Sequence, residues 1–171
     1  MTPLFDCLVN GTRVSENGKS VSISGDRNEQ ILFFRIDNCY IKDESKKCDY
    51  FALYSDSNYK FIFLIELKGI NLAKAIEQFE ETITNEKFKY ILNIHNCRKC
   101  NNYGCIKLLL VVHGRGISSN NDLKDRIYKK YKFILETEEL NCDLEEIINK
   151  YKNKHNIHKS KLKRMLSKRR R

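Results

Sequence analysis

No stretch of the 171 residues approaches the ~20 consecutive apolar residues that a membrane-spanning helix needs. The start, Met1 to Asn10, lacks the basic opening and long apolar centre of a secretory signal, so a cytoplasmic, intracellular setting without a membrane partner is expected. The seven cysteines are odd in number and follow no regular framework. That argues against a disulfide scaffold and for reduced thiols. No internal repeat is visible, and no helix carries the marks of a base-reading recognition helix, which excludes an evident sequence-specific DNA reader.

Acidic residues are missing from one region entirely. Residues 152 to 171 hold ten Lys and Arg side chains and no Asp or Glu, while the whole chain has 32 basic and 22 acidic residues and a net charge of +10. The remainder therefore has 32 − 10 = 22 basic residues against 22 acidic ones and is neutral. The length suits one domain, residues 1–151, followed by a basic extension, residues 152–171. Within that tail Lys161, Lys163, Arg164, Lys168, Arg169, Arg170 and Arg171 form an electrostatic footprint for nucleic acid, because each phosphate neutralised releases counterions. An acidic lipid surface or simple solubilisation accounts for the same composition.

The chain places charge against its own pattern between Lys47 and Gln78. Lys60 to Lys68 (KFIFLIELK) is rich in Phe, Ile and Leu, follows the turn-like Ser55-Asp56-Ser57-Asn58 and precedes Gly69, which is the signature of a core β-strand. Asp49 to Tyr54 reads as the preceding strand of a hairpin. Successive strand side chains alternate faces, so Glu66 and Lys68 project to one side and Leu67 to the other. Two carboxylates and an ammonium then converge at neighbouring strand ends. Close carboxylates repel unless a proton or cation lies between them, and Mg²⁺ takes one or two carboxylates plus waters and phosphate oxygens. A buried Glu66–Lys68 ion pair, or two charges emerging into solvent, explains the same residues without chemistry.

Asp49, then Glu66-Leu67-Lys68, then Gln78 on the following helix, resembles the PD-(D/E)xK nuclease superfamily over roughly residues 31 to 94. The resemblance implies an α/β (α+β), restriction-endonuclease-like mixed sheet flanked by helices, with the Asp and the ExK on adjacent strands. It implies Asp49, Glu66 and the Leu67 backbone carbonyl as ligands of Mg²⁺ or Mn²⁺, Lys68 as the catalytic lysine, and Gln78 as the helical glutamine of the exonuclease-like branch. Cys48 stands where the motif has Pro, and Thr82 where a Tyr commonly follows the Gln by four positions. An N-terminal helix supplying a further acidic residue is not evident. The implied activity is metal-dependent hydrolysis of phosphodiesters in DNA rather than RNA, possible as a homodimer or within a larger complex. A non-catalytic nucleic-acid- or partner-binding protein of the same fold is the alternative.

Elsewhere, Leu4–Val9, Ser20–Ser24, Ile31–Ile36, Cys39–Ile41, Phe88–Ile94, Ile106–Val112 and Lys132–Glu136 read as strands, with Glu16-Asn17-Gly18 as a turn. Leu72, Ala75, Ile76, Phe79 and Ile83 recur at helical spacing behind an Asn71 cap, and helices are expected at Asn121–Tyr131 and Asp143–Tyr151. His95, Cys97, Cys100 and Cys105 have the donor types of a Zn²⁺ site compressed into eleven residues; free thiols on a polar hairpin, or a zinc-stabilised scaffold subunit, are the two readings. His113-Gly114-Arg115-Gly116 ends a long strand with two glycines, a backbone able to approach a phosphate or merely to leave the sheet.

Overall fold

The computed structural model describes residues 3–24, 29–69, 71–95, 104–114 and 121–155. Two sheets organise them. A six-stranded mixed sheet has the order β1-β4-β5-β6-β7-β8, and a three-stranded sheet has the order β2-β3-β9. The strands are β1 (Leu8–Val9), β2 (Arg13–Glu16), β3 (Lys19–Ser22), β4 (Gln30–Arg35), β5 (Tyr50–Ser55), β6 (Tyr59–Gly69), β7 (Gly104–His113), β8 (Ile134–Glu139) and β9 (Asn141–Asp143). The helices are α1 (Leu72–Thr84), α2 (Glu86–His95), α3 (Asn121–Tyr131) and α4 over residues 144–155.

Connection lengths dictate the pairing. Asp56-Ser57-Asn58 is too short for anything but a hairpin, so β5 and β6 are antiparallel; the Asp56 side chain fixes that turn by accepting from the amides of Asn58 and Tyr59, both at 2.7 Å. From β6 the chain crosses through α1 and α2 and returns as β7 parallel to it, then through α3 to β8, again parallel. In the small sheet, Asn17 (φ 50°) and Gly18 (φ 73°) form the two-residue turn, both in the left-handed region that this connection demands.

β6 is the spine. Every residue from Phe61 to Leu67 is buried, because both faces of the strand are covered, which is why its sequence runs apolar without alternation. On one face Ile62, Leu64, Phe51, Leu109 and Val111 pack against Ile76 and Phe79 of α1, Phe88 and Ile91 of α2 and Ile127 of α3. On the other, Phe61, Phe63, Ile65, Leu108 and Leu110 meet Val21 of β3, Cys142 of β9 and Leu144, Ile147 and Ile148 of α4.

Several expectations are corrected. Phe88–Ile94 lies in helix α2, not in a strand: Phe88, Ile91 and Leu92 are buried at helical spacing while Lys89 and Tyr90 between them are exposed. Asn85 begins that helix, its side chain accepting from the Lys87 amide at 3.1 Å. Leu4–Cys7 is a 3-10 turn, and Cys39–Ile41 is a turn joined to Asp37 by one bridge. Strand β8 starts and ends later than the sequence suggests. The cysteines are not all thiols: Cys7 and Cys39 form a disulfide, while Cys48 and Cys142 are buried thiols. The last helix runs on to residue 155, four residues past the expected end at Tyr151, and Lys152 within it lies 2.7 Å from Asp56. No helix among the described residues is long and apolar enough to cross a membrane.

Candidate carboxylate site at the β5–β6 strand ends

Asp49 and Glu66 meet through strand register. Tyr50 pairs with Ile65, so the next position outward sets Asp49 across from Glu66 on the adjacent strand, a separation of about 5 Å between β-carbons in such pairs. Phe51 and Leu64 point to the α1 face, and two residues further along each strand the same parity puts Asp49 and Glu66 on that face. Their exposures are 2% and 1%.

Three elements fix the segment that delivers Asp49. From the turn just after β4, the Ile36 amide donates to the Asp49 carbonyl at 2.9 Å. From β6, the Leu67 amide donates to Asp49 Oδ2 at 2.7 Å. From α1, Gln78 Nε2 donates to the Lys47 carbonyl at 3.0 Å, and the Cys48 amide donates to Thr82 Oγ1 at 2.9 Å. Thr82 thus has a positional task of its own at the place where the resembled family carries Tyr, and it closes its own bond by donating to the Gln78 carbonyl at 2.7 Å. Burial pushes the Cys48 thiol up, and the nearby charges of Glu66 and Asp49 add to the effect.

Beyond Glu66 the β6–β7 ladder shifts register: Glu66 opposes Val111 and Gly69 opposes His113, so β6 carries one extra residue across Leu67 and Lys68. A bulge of this kind re-aims side chains and often accompanies a site. Leu67 lies in it, with its side chain buried and its amide on Asp49. Lys68 is in β6, but its side chain lies outside the described residues. His113 is buried at the end of β7 with Nδ1 against the Gly114 carbonyl, and the Leu140 amide donates to its carbonyl at 2.9 Å, so this strand exit is held by protein contacts.

The donor set suits a hard divalent cation. Two carboxylates and a backbone carbonyl are oxygen ligands, and Mg²⁺ leaves its other positions to water and phosphate. Among the described residues no group of three or more His, Cys, Asp or Glu side chains is arranged to hold a metal ion. Asp49 also lines a cleft of about 80 Å³ with Tyr50, Arg35, Asp37, Asn38 and Glu16.

Gln78 does not point at the carboxylates through its amide nitrogen, which is committed to Lys47. Of the zinc set, Cys105 is an exposed thiol at the start of β7, whereas the His95 side chain, Cys97 and Cys100 lie outside the described residues. So do Arg115, Gly116 and the tail residues Lys161, Lys163, Arg164, Lys168, Arg169, Arg170 and Arg171. Sequence reasoning missed Lys47, whose buried ammonium sits 3.6 Å from Asp43 and 3.9 Å from Asp37, and Arg35, which donates to the Tyr50 hydroxyl at 3.1 Å. Arg35 had a faint signal, a charge closing the Ile31–Ile36 strand; Lys47 had none. Comparison with protein-family models, curated proteins and solved structures finds no match to this chain, so its own residues carry the functional reading.

Proposed function

We propose that this protein is a metal-dependent nuclease of the PD-(D/E)xK type, with a restriction-endonuclease-like core, that hydrolyses phosphodiester bonds in DNA. The observation that carries the reading is the cross-strand placement of Asp49 and Glu66 on one face of a mixed sheet, at the end of β6 where the ladder bulges. Adjacent strands delivering an Asp and an ExK are what the resemblance calls for.

Asp49 and Glu66 hold Mg²⁺ or Mn²⁺ with the Leu67 carbonyl. Held by these groups, such a cation would supply Lewis-acid polarisation of the scissile phosphate and activation of a water. Leu67 serves twice, its amide orienting the Asp49 carboxylate at 2.7 Å and its carbonyl facing the same task as a ligand. Lys68 aligns the attacking water or balances charge on the phosphate. Gln78 and Thr82 act at one remove, by fixing the backbone of Lys47 and Cys48 that positions Asp49. The basic tail raises affinity for the polyanion without choosing a sequence.

One observation favours a second reading. Both acids are almost completely buried, as befits a structural charge cluster in a non-catalytic nucleic-acid- or partner-binding protein. Linear, circular and single-stranded DNA and RNA, incubated with and without Mg²⁺, separate the two. The nuclease reading expects Mg²⁺-dependent cleavage of DNA that Asp49→Ala and Lys68→Ala each remove while binding persists. Cleavage surviving in both variants sinks it.

A further inference from the structure

The Cys7–Cys39 bond joins two turns at the β1 edge of the large sheet, the 3-10 turn Leu4–Cys7 ahead of β1 and the turn that follows β4. The second of these supports Asp49 through the backbone. The Ile36 and Asp37 amides both donate to the Asp49 carbonyl, at 2.9 and 3.4 Å, and the Ile41 and Cys39 amides close the turn on the Ile36 carbonyl at 3.1 and 3.4 Å. A covalent tie at Cys39 therefore stiffens what holds Asp49.

Both cysteines line a cleft of about 420 Å³, a volume within the range of small-molecule sites. Cys7 is buried and Cys39 is partly exposed, so a thiol entering the cleft meets Cys39 first. Arg13, Arg35 and Tyr50 line the same cleft. Arg35 pairs across the ladder with Tyr50, which belongs to the core on the small-sheet side, so the cleft is separate from the carboxylates of Asp49 and Glu66. Arg13 donates to Ser20 Oγ at 3.0 Å and Arg35 to the Tyr50 hydroxyl at 3.1 Å. A guanidinium has five N–H donors, so each anchored fork keeps donors for a ligand. Asp6 is the one carboxylate of the lining, which leaves the cleft with 2 − 1 = 1 positive charge. Cationic groups beside a disulfide favour the thiolate form of an incoming thiol and stabilise the thiolate that leaves. Two forks suit a pair of carboxylates, and Asp6 suits an ammonium, which together are the charges of a glutathione-type peptide thiol.

We propose that this cleft binds a small anionic thiol of the glutathione class, and that the thiol opens Cys7–Cys39 by exchange and loosens the turn that holds Asp49. The thiolate attacks Cys39 Sγ, the S–S bond breaks, and its electron pair leaves on Cys7 Sγ, which takes a proton from solvent. The product is a mixed disulfide on Cys39. A second thiol attacks the ligand's sulfur, giving the ligand disulfide and the Cys39 thiol. Neither step depends on the nuclease reading.

The test uses the full chain, first oxidised with oxidised glutathione, and follows loss of the Cys7–Cys39 bond by alkylation and peptide mapping. The probes are reduced glutathione, neutral 2-mercaptoethanol and cationic cysteamine. The quantity read is the glutathione rate divided by the 2-mercaptoethanol rate in the same protein, which cancels any general weakening of the fold by a substitution. Replacing both arginines, Arg13→Gln with Arg35→Gln, should lower this ratio about tenfold, the lower end of electrostatic steering. High salt should lower the wild-type ratio in the same direction, and cysteamine should gain in the double variant. In Cys7→Ser, oxidised glutathione should leave an adduct that maps to Cys39. Opening should also speed hydrogen exchange at the Ile36 amide, which donates to Asp49. An equal ratio in wild type and double variant, or a bond that opens at one rate whatever the thiol and its concentration, overturns the binding site. Unchanged exchange at Ile36 in the opened protein overturns the link to Asp49 and leaves the thiol site standing.

Discussion

The two ends of the β5–β6 hairpin set their acids among different neighbours. At the turn, Asp56 and Glu29 face Lys152 and the Tyr54 hydroxyl, and charge is balanced inside the protein. At the other end, Asp49 and Glu66 oppose each other across the ladder, and the Asp49 carboxylate takes a backbone amide. The first arrangement explains itself as an ion cluster that pins α4. The second sets two carboxylates on adjacent strands, a pairing that a cation or a proton nearby eases. The difference teaches that a buried carboxylate is not by itself a site; its company decides.

The comparison breaks most visibly in activity. Glu66→Ala should lower Mg²⁺-dependent cleavage by more than about 100-fold, since even residues one shell outside a metal are worth 10–100-fold, whereas Asp56→Ala should leave cleavage within a few-fold. A nuclease assay on both variants checks this.

Stability should show the reverse order. Lys152→Ala leaves Asp56 and Glu29 facing each other in a site where the lysine is 18% exposed, and should cost about 2–3 kcal/mol in urea unfolding. Reduction of Cys7–Cys39, which span 32 residues, should cost a similar or slightly larger amount, about 3–4 kcal/mol, by releasing the denatured chain. Melting with and without a reductant measures it.

Acid should weaken the turn. Burial alone would raise Asp56, but the Lys152 ammonium and the amides of Asn58 and Tyr59 outweigh it and hold the carboxyl below its ordinary value of 3.8. A depressed folded pKa gives stability that is fully present above the unfolded value and lost as pH falls through the folded one. Unfolding free energy should therefore decline below about pH 4, and this decline should shrink in Asp56→Asn. The smallest effect is expected at Gln78→Ala, which removes one bond to the Lys47 carbonyl and should cost about 1 kcal/mol.

Much of this was legible in residues close together in the chain. The β5–β6 hairpin followed from one polar turn between two apolar runs, α1 from its 3-and-4 spacing behind Asn71, and α3 from Asn121 to Tyr131. The nearness of Asp49 to Glu66 followed from the same hairpin, which brings the two strand ends together. What escaped depends on distant partners. Strand β9 pairs in parallel with β3 across some 120 residues, and nothing local in Asn141-Cys142-Asp143 announces it. The Cys7–Cys39 bond needed the 3-10 turn to be known first. Helix α2 was misread because Phe88-Lys89-Tyr90-Ile91-Leu92 is apolar enough for a strand, and only its burial pattern reveals the helical period. Arg35 became interesting only when register set it beside Tyr50.

An anomalous difference map from crystals soaked in Mn²⁺ tests the central claim most directly. The account predicts a peak between the carboxylates of Asp49 and Glu66, within about 2.0–2.3 Å of an oxygen from each. A map with no peak there, from crystals whose other surfaces take up the ion, would contradict it and leave the pair as a structural cluster.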